Sequence, residues 1–569
     1  MDIKERVAAK LAADTGIAGK ETLSELLEIP PEERLGDYAL PCFPFAKELK
    51  RAPNLVAKEL AAKVVPDAVI AKAEAAGSYL NLFLNRETVI RSAVTQILKE
   101  KERYGAGGHK KERVMIEYSQ PNTHKAFHVG HLRGTSIGEA LARILRHAGF
   151  DVVQANYSGD TGMHVAKWLW CYTRFHKGEG PPKGEKGAWL ASIYVEAVKR
   201  LDEKPELQAD VDRVNLALDE GKEKELLRLW KETRQWSIEE FKRIYKELDA
   251  RFDVWWFERE MEARAKAVSR ELVKKGIAEV SDDAVIVNLE KEGLGVWVLL
   301  RKDGTPLYSA KDLALAEKKF TEYRIGRSVY VIGRAQALHM QQLFRTLELM
   351  RFEQAKRCFH LDYEEVRLPE GKISSRTGQN ILYTDVRDEV FAYTEKEVRS
   401  RHDDWSDEKI QGVVKAVAVC ALKFEMVYRD HNRPIVYDVA KVCDFEGDTG
   451  PYVQYTHARC NSILAKLGKK PTVQGAAFRA LTTDHEYRLA KELLRFPAAV
   501  EEIASHLYPS SLAKYGLELS KALNMFYHEC RVIGEQPEVE NGRALLVEAT
   551  RIVLEQSLTL LGIEAPKQM

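Results

Sequence analysis

RVMIEYSQPNTHKAFHVGHLRG, residues 113–134, joins an apolar run to a polar turn and a His-x-Gly-His tetrad. The apolar run 114–116 is typical of a buried strand. After the tetrad, apolar residues recur at helical spacing as far as Ala148, and Gly149 offers a helix stop. The pattern predicts a strand, a loop and then a helix, whose N-terminal N–H groups suit a phosphate.

The tetrad places His128 and His131 one helical turn apart, with Gly130 between them. Both side chains can then face one phosphate, and the glycine lets a nucleotide approach the backbone. With 15 His and 35 Gly in 569 residues, chance yields roughly 0.02 such tetrads. The alternative is a pair of surface histidines near a helix start.

The segment Glu117 to Gly134 resembles the HIGH region of class I aminoacyl-tRNA synthetases, and its flanks resemble the arginyl-tRNA synthetases in particular. Three further stretches match that family in order, namely 159–162, 371–378 and 448–459. Two positions depart from its pattern. Met163-His164 replaces the usual ending of Gly-Asp-x-Gly-x-Gln, and Ser375 replaces the second lysine of the KMSKS-like loop.

The resemblance implies a multidomain α/β protein with a Rossmann-like parallel sheet core. We expect an N-terminal α/β additional domain at 1–110 that holds the tRNA elbow and D-loop, and a catalytic domain at 111–400. A mainly helical insertion is expected at about 166–300, with the tryptophans 168, 170, 255 and 256 in its core. The helical pattern after residue 400 predicts an all-helical anticodon-binding bundle at 401–569.

The implied activity is that of an arginine–tRNA ligase, which activates L-arginine with ATP to arginyl-adenylate and transfers it to the 3′ end of tRNA(Arg). Catalysis is assigned by resemblance to Lys125, His128, His131, Lys372, Ser374 and Arg376. ATP binding is assigned to His128, Gly130, His131, Lys372 and Ser375. Lys125 is similar to the family's substitute for the missing lysine.

Arginine binding requires carboxylates, because the guanidinium is a planar fork of donors. Asp312 lies four residues after Tyr308, so both can face one side of a helix; taken alone, Asp312 could equally be a cap or a surface charge. By resemblance the arginine-binding residues are Glu117, Gln120, Asn122, His131, Tyr308, Asp312 and Gln336. The tRNA-binding residues are Tyr79, Asn81, Tyr452, Gln454, Tyr455, Arg459, Asn524 and Tyr527.

Composition restricts the remaining possibilities. Apolar residues make up 45% of the chain without a run long enough to span a membrane, and the N-terminus does not resemble a secretory signal. The 7 cysteines are scattered without a Cys-x-x-Cys pair, so we expect a cytoplasmic protein with no zinc and no metal held by the protein. Mg²⁺ is expected with ATP. A net charge of +1 means that RNA must be bound by local basic patches, and the resemblance implies a monomer.

Three other functions remain open at this point. The chain could be a class I synthetase for another amino acid, such as the cysteinyl or glutamyl type, although the cysteinyl type needs zinc ligands. A non-catalytic RNA-binding paralogue would have no reason to keep His128, His131 and Lys372. A nucleotidylyltransferase would lack the long helical region after the sheet.

Overall fold

The computed structural model describes residues 3–367, 369 and 381–569, and the chain divides into two compact units. Unit 1 comprises Met1–Tyr104, Thr456–Phe496 and Glu518–Leu554. Unit 2 comprises Gly105–Tyr455, Pro497–Leu517 and Glu555–Met569. The predictions for Lys372, Ser374, Ser375 and Arg376 lie outside the described residues.

The amino-terminal part of unit 1 is a small α/β fold. Its elements are α1 (Ile3–Thr15), α2 (Lys20–Leu26), β1 (Tyr38–Pro41), α3 (Phe43–Leu49), α4 (Pro53–Lys63), β2 (Ile70–Ala76), β3 (Tyr79–Leu84) and α5 (Arg86–Glu100). The strands form an antiparallel sheet in the order β1-β3-β2. Gly77 adopts φ +60° in the β2–β3 turn, a conformation that glycine reaches without steric cost. Leu80, Leu82 and Leu84 alternate along β3 and are buried, which fixes the face that β3 turns to the helices.

Residues 105–400, all in unit 2, contain most of the remaining strands. These are β4 (Arg113–Glu117), β5 (Asp151–Ser158), β6 (Val254–Phe257), β7 (Glu279–Ser281), β8 (Ala284–Leu289), β9 (Gly295–Leu300), β10 (Arg327–Gly333), β11 (Cys358–Tyr363) and β12 (Val366–Arg367). The helices are α6 (Val129–His147), α7 (Met163–Phe175), α8 (Gly187–Glu203), α9 (Gln208–Glu220), α10 (Lys224–Glu247), α11 (Glu258–Lys274), α12 (Tyr308–Tyr323), α13 (Ala337–Leu349) and α14 (Tyr383–Arg401).

The core of unit 2 is a five-stranded parallel sheet in the order β11-β10-β4-β5-β6. β4 enters first in the chain and lies in the centre, with β5 on one side and the later strand β10 on the other. Val114, Met115 and Ile116 in β4 are fully buried, as expected for a strand covered on both faces. The strand order therefore reverses at β4, and ligands of such sheets bind at the carboxyl ends of the strands at this point.

The region 166–300 is mainly helical, since α7 to α11 lie in it. It also contains strands that the sequence did not predict: β6 joins the main sheet as its edge strand, and β7, β8 and β9 form a separate antiparallel sheet. A four-residue strand is too short for a periodicity analysis to detect. Trp168, Trp170 and Trp256 are buried as predicted, whereas Trp255 is half-buried and donates to the Ser158 hydroxyl at 3.0 Å.

After residue 400 the chain is helical as predicted, apart from one short strand. The helices are α15 (Asp407–Tyr428), α16 (Val439–Val442), α17 (Gly450–Leu467), α18 (Asp484–His506), α19 (Ser510–Glu529) and α20 (Pro537–Leu560). The exception is β13 (Ile435–Val436), which pairs in parallel with β12. Among the described residues, no helix is both long enough and apolar enough to cross a membrane.

Candidate active site

A cavity of about 510 Å³ opens at the carboxyl ends of β4, β5 and β10. Glu117, Tyr157 and Ile332 line it from these three strands, and the first turn of α12 contributes Tyr308 and Asp312. The cavity thus lies at the point where the strand order reverses, which is where doubly wound sheets bind their ligands.

Six of the seven residues predicted to bind arginine line this one cavity. They are Glu117, Gln120, Asn122, Tyr308, Asp312 and Gln336. The seventh, His131, is not among the described lining residues; it lies in the first turn of α6. Residues more than 200 positions apart in sequence are therefore brought together, although their roles stay predictions.

Glu117 is already neutralised within the protein. Its carboxylate lies 2.6 Å from the ammonium of Lys319, and both side chains are buried. It also accepts a hydrogen bond from the Gln120 amide at 2.8 Å. A buried carboxylate with its own cation offers less charge to a ligand, and the predicted role of Glu117 in arginine binding stays a prediction.

Sequence reasoning missed most of the acidic wall of the cavity. Asp219, Glu258 and Glu262 line it from α9 and α11, and burial raises the pKa of each of these carboxyl groups. Lys311 donates to Glu258 and to the Thr161 hydroxyl, both at 3.0 Å. Apart from Glu117, which pairs with Lys319, the described lining residues include four carboxylates and two lysine or arginine side chains, so the cavity favours a cation. Asp219, Glu258 and Glu262 could not be recognised from the sequence, because α9 and α11 show only ordinary helical patterns.

The loop after β4 holds its residues in uncommon conformations. Ser119, Gln120 and His124 have φ of +76°, +51° and +61°, values that non-glycine residues rarely adopt. The Gln120 N–H donates to the Asn156 side chain at 3.2 Å, which helps to hold the turn. Such strain is often found at binding sites, and here it directs Gln120 and Asn122 into the cavity.

Asn122 depends on the absence of a side chain at position 159. A Cβ added to Gly159 would lie 2.2 Å from the Asn122 Oδ1 atom, so Gly159→Ala must displace the amide. We expect a rise of about tenfold in KM for arginine, the loss of about one hydrogen bond to a charged group. Steady-state aminoacylation at varied arginine measures it. Gly162→Ala is the control, because an added Cβ there meets nothing within 4 Å although the backbone has φ +93°. It therefore shows the effect of backbone strain in this turn without crowding of Asn122. An equal rise in KM in both variants would contradict the prediction.

The two tetrad histidines have a defined tautomer. The Gly130 N–H donates to Nδ1 of His128 at 3.1 Å, and the His128 N–H donates to Nδ1 of His131 at 3.2 Å. Both Nδ1 atoms are therefore acceptors, and in a neutral imidazole the proton must then lie on Nε2. The rings stack with centroids 3.7 Å apart. The start of α6 thus presents two Nε2–H donors.

Both histidines are kept neutral. Burial, together with the charge of Lys125, lowers the pKa of His128 to about 4. Burial lowers the pKa of His131 well below its ordinary value, and His128 and Lys125 act in the same direction. Lys125 is itself partly buried, which lowers its pKa, and its ammonium lies 5.0 Å from the centre of the Tyr194 ring. The predicted catalytic residues Lys125, His128 and His131 therefore form one group.

Histidines whose pKa is lowered should make the protein sensitive to acid. Burial lowers the pKa of His124 and of His164 to about 3, and of His128 to about 4. Below an ordinary value of about 6.5 the unfolded chain binds these protons before the folded chain does, so stability is complete above that pH and is lost as the pH falls towards 4. We expect the free energy of unfolding to be lower at pH 5.5 than at pH 7.5, by about 1.4 kcal/mol for each histidine whose pKa is lowered to about 4 or below.

Urea titrations at the two pH values measure this difference. In His124→Asn the difference should shrink by about 1.4 kcal/mol, the share of one histidine. A variant with the same pH dependence as the unaltered protein would contradict the assignment.

The predicted tRNA-binding residues differ in accessibility. Tyr79 is 37% exposed, but Asn81 is only 4% exposed, so the expectation that both side chains are open to a base is wrong for Asn81. Gln454 is fully buried and donates to the carbonyls of Ala416 and Glu564. Its amide therefore joins α17 to two backbone carbonyls, and its predicted contact with tRNA stays a prediction.

Three other members of that set meet in unit 1. Arg459 donates to the Asn524 side chain at 2.6 Å, and its guanidinium lies 5.8 Å from the centre of the Tyr527 ring. Tyr527 is 45% exposed. A guanidinium beside an accessible ring can stack on a base and pair with phosphate. Of the remaining two, Tyr455 is exposed and Tyr452 half-buried.

Among the described residues, one cluster of metal-ligating side chains lies outside the cavity. Ligand atoms of Cys171, His176 and Glu196 lie within 4.8 Å of one another. His176, however, is bound on both ring nitrogens, by Glu179 and Glu196 at 2.9 Å each, and burial raises the pKa of the Cys171 thiol to about 12. The contacts of His176 with Glu179 and Glu196 form an ion-pair network beside the Cys171 thiol.

Comparison with known proteins identifies the family. Residues 93–438 match the family described as tRNA synthetases class I (R), catalytic domain. Residues 453–569 match the DALR anticodon binding domain, and residues 1–84 match the arginyl tRNA synthetase N terminal domain. An arginine–tRNA ligase of Bdellovibrio bacteriovorus is 39% identical to this chain, with 97% of this chain and 95% of that protein covered. The chain belongs to the arginyl-tRNA synthetase family.

Further relatives agree with this assignment to the arginyl-tRNA synthetase family. An arginine–tRNA ligase of Clostridium acetobutylicum is 34% identical over the whole of both chains. The structure of Thermus thermophilus arginyl-tRNA synthetase, 27% identical, superposes with a TM-score of 0.82 and covers 99% of each chain. The predicted fold class and the predicted function of a class I arginine–tRNA ligase are confirmed, and membership of class I implies the use of ATP.

Proposed function

We propose that the chain activates L-arginine with ATP to arginyl-adenylate in the cavity at the ends of β4, β5 and β10, and transfers the arginyl group to the 3′ end of tRNA(Arg). The observation that carries this proposal is the acidic cavity, which gathers Asn122, Tyr308, Asp312 and Gln336 at the strand-order reversal. Its surplus of carboxylates suits the one amino acid whose side chain is a permanent fork of donors.

Activation requires positioning and charge stabilisation and no enzyme nucleophile. The arginine carboxylate attacks the α-phosphate and pyrophosphate leaves; the terminal ribose hydroxyl of tRNA then attacks the activated carbonyl and AMP leaves. The Nε2–H groups of His128 and His131 stabilise charge that develops on the phosphate oxygens, and the His131 donor can also meet the arginine carboxylate. Gly130 leaves room for the His128 ring, since a Cβ there would lie 2.9 Å from it.

The β- and γ-phosphates require cations. We assign this role to Lys125, with Lys372 and Arg376 from the loop 371–378. In the same loop we assign a catalytic role to Ser374 and a contact with ATP to Ser375. Mg²⁺ arrives with the triphosphate, and we give it no protein ligand; no zinc enters the scheme. Since the second lysine of the loop is replaced by Ser375, Lys125 compensates for the lost charge.

Arginine is held by Asp312 at the guanidinium, with Tyr308 and Gln336 beside it. Gln120 and Asn122 contact the α-amino and α-carboxylate groups. Glu117, paired with Lys319, orients Gln120 and does not supply net charge. A site that relies on buried hydrogen bonds rejects substrates lacking the guanidinium by about 10⁴–10⁵, so the insertion at 166–300 is structural and not an editing domain.

The flanking domains bind tRNA. Residues 1–110 contact its elbow, with Tyr79 stacking on a D-loop base, and residues 401–569 contact the anticodon through Tyr452, Tyr455, Arg459, Asn524 and Tyr527. Exposed aromatic rings with neighbouring cations are the usual means of holding unstacked bases. We further propose a cytoplasmic monomer.

ATP–pyrophosphate exchange with each amino acid in turn, with and without total tRNA, tests the proposal. Exchange with arginine alone is the expected result, and exchange that appears only after tRNA is added would show that activation depends on bound tRNA. Exchange with another amino acid would overturn the cavity assignment. Absence of exchange with tRNA still bound would favour a non-catalytic paralogue.

A further inference from the structure

We propose that His339 is a positioning residue that aligns the carboxylate of Asp312 for the guanidinium of arginine, and that Trp297 holds its imidazole in the tautomer this requires. The inference rests on the function proposed above and extends it to two residues outside the predicted site. His339 lies in α13, Trp297 in β9 and Asp312 in α12, so three elements meet here.

A continuous chain of hydrogen bonds joins the three side chains. The Trp297 indole N–H lies 3.2 Å from Nδ1 of His339, and Nε2 of His339 lies 2.7 Å from Oδ2 of Asp312. Trp297 and His339 are 4% and 8% exposed, respectively. These hydrogen bonds therefore lead from the core of unit 2 to the wall of the cavity, which both His339 and Asp312 line.

The indole of Trp297 decides which atom donates and which accepts in each of these hydrogen bonds. An indole N–H can only donate, so Nδ1 of His339 must accept. The imidazole proton is then on Nε2 and points at Asp312. In metal sites, a second residue often hydrogen-bonds the ring nitrogen of histidine that does not bind the metal, and so fixes the ring. Trp297 contacts His339 in the same way, but here the group that the histidine orients is a carboxylate.

His339 also contacts a second predicted arginine ligand. The Tyr308 ring lies 4.6 Å from the imidazole, in an edge-to-face arrangement at 63°. Tyr308 is 53% exposed, and one side of its ring packs against this imidazole. Loss of the imidazole would therefore loosen both groups of the first turn of α12.

The consequence for arginine is geometric. A carboxylate that accepts from Nε2 on Oδ2 cannot rotate freely, and its Oδ1 and the remaining lone pair of Oδ2 stay available. Two parallel N–H···O bonds to a guanidinium need both oxygens in one fixed plane. His339 thus supplies the alignment and Asp312 supplies the charge.

A crossed pair of variants separates the two contacts of His339. Asparagine places its amide about where Nδ1 lies, so His339→Asn can accept from Trp297 but cannot reach Asp312. Glutamine reaches about as far as Nε2, so His339→Gln can donate to Asp312. We expect KM for arginine to rise about 10–100-fold in His339→Asn, the loss of one hydrogen bond to a charged group. The rise should stay below about fivefold in His339→Gln, and KM for ATP should be unchanged in both.

Citrulline distinguishes alignment of a charge from general loosening of the pocket, because it has the shape of arginine without the charge. Its inhibition constant against arginine should change less than twofold in His339→Asn. Trp297→Phe keeps an aromatic ring and removes the donor, and it should raise KM for arginine by about three- to tenfold. Thermal midpoints should stay close to that of the unaltered protein.

Equal effects of the Asn and Gln variants, or parallel losses of arginine and citrulline binding, would overturn the inference. These outcomes are independent of the proposed function, which fails only if the unaltered protein shows no arginine-dependent exchange. If the unaltered enzyme is active and the His339 variants have the same KM for arginine as it does, only the positioning role is rejected.

Discussion

Asp312→Asn should lower kcat/KM for arginine by about 10²–10³-fold while leaving KM for ATP within about twofold. The side chain lines the cavity, is 22% exposed and receives the His339 donor. Its substitution removes the negative charge and turns an acceptor into a donor that faces the guanidinium. Removing one partner of such a pair costs about 3–4 kcal/mol, mostly because the remaining charge is left unpaired. Initial rates of aminoacylation at varied arginine and at varied ATP measure the two effects.

A matched control is available on the same helix. Glu322 lies near the end of α12, pairs with Lys318 at 2.7 Å and is solvent-accessible. Glu322→Gln removes the same charge from α12 without touching the cavity, and it should leave both KM values unchanged because an exposed pair contributes little. Equal losses of arginine and ATP affinity in Asp312→Asn would remove Asp312 from the guanidinium site.

The central strand, the tetrad helix and the position of the cavity could be predicted from the sequence because each has a strong local signal. Val114 to Ile116 form an unbroken apolar run, and His128 stands directly before a clear helical periodicity. The rule that ligands bind where strand order reverses then locates the site. Tyr308 and Asp312 followed from their spacing of four residues together with the family resemblance.

The acidic wall and the partners of the ligands could not be predicted in this way. Lys319 neutralises Glu117, yet in the sequence it is one of many lysines on an amphipathic helix. Glu258 reaches the cavity because β6 joins the main sheet directly before α11. Which buried charges face each other depends on tertiary packing, and local periodicity carries no information about it.

The same limit explains the errors. The family resemblance assigns Asn81 to the tRNA elbow, but its side chain is buried in the central strand of a three-stranded sheet, where it pairs with Ala39 and Glu74. Gln454 belongs to a stretch that matches the family closely, yet its amide ties α17 to two backbone carbonyls. A close match in sequence therefore marks structural residues as well as those that contact RNA.

His128 combines two tasks that substitution can separate, stabilisation of a helix start and donation to the phosphate. Its Nδ1 accepts from the Gly130 N–H at 3.1 Å as the N-cap of α6, and its Nε2–H remains for the ligand. Asparagine is among the best N-cap residues, so His128→Asn should preserve the helix start. It should nevertheless reduce kcat of arginine-dependent exchange by about 10²–10³-fold, because one donor to the transition state is lost at about 2.7–4 kcal/mol.

His128→Gln should show the opposite combination. Its amide can reach the position of Nε2 and keep kcat within about tenfold, but it is a poor cap and should cost about 0.5–2 kcal/mol of stability. Urea unfolding and pyrophosphate exchange on the two variants measure both properties. If activity and stability fell together in each variant, His128 would only support the fold of α6, and the transition-state donor would have to be sought in His131. If activity fell only in His128→Asn, the free Nε2–H would be the group that acts on ATP.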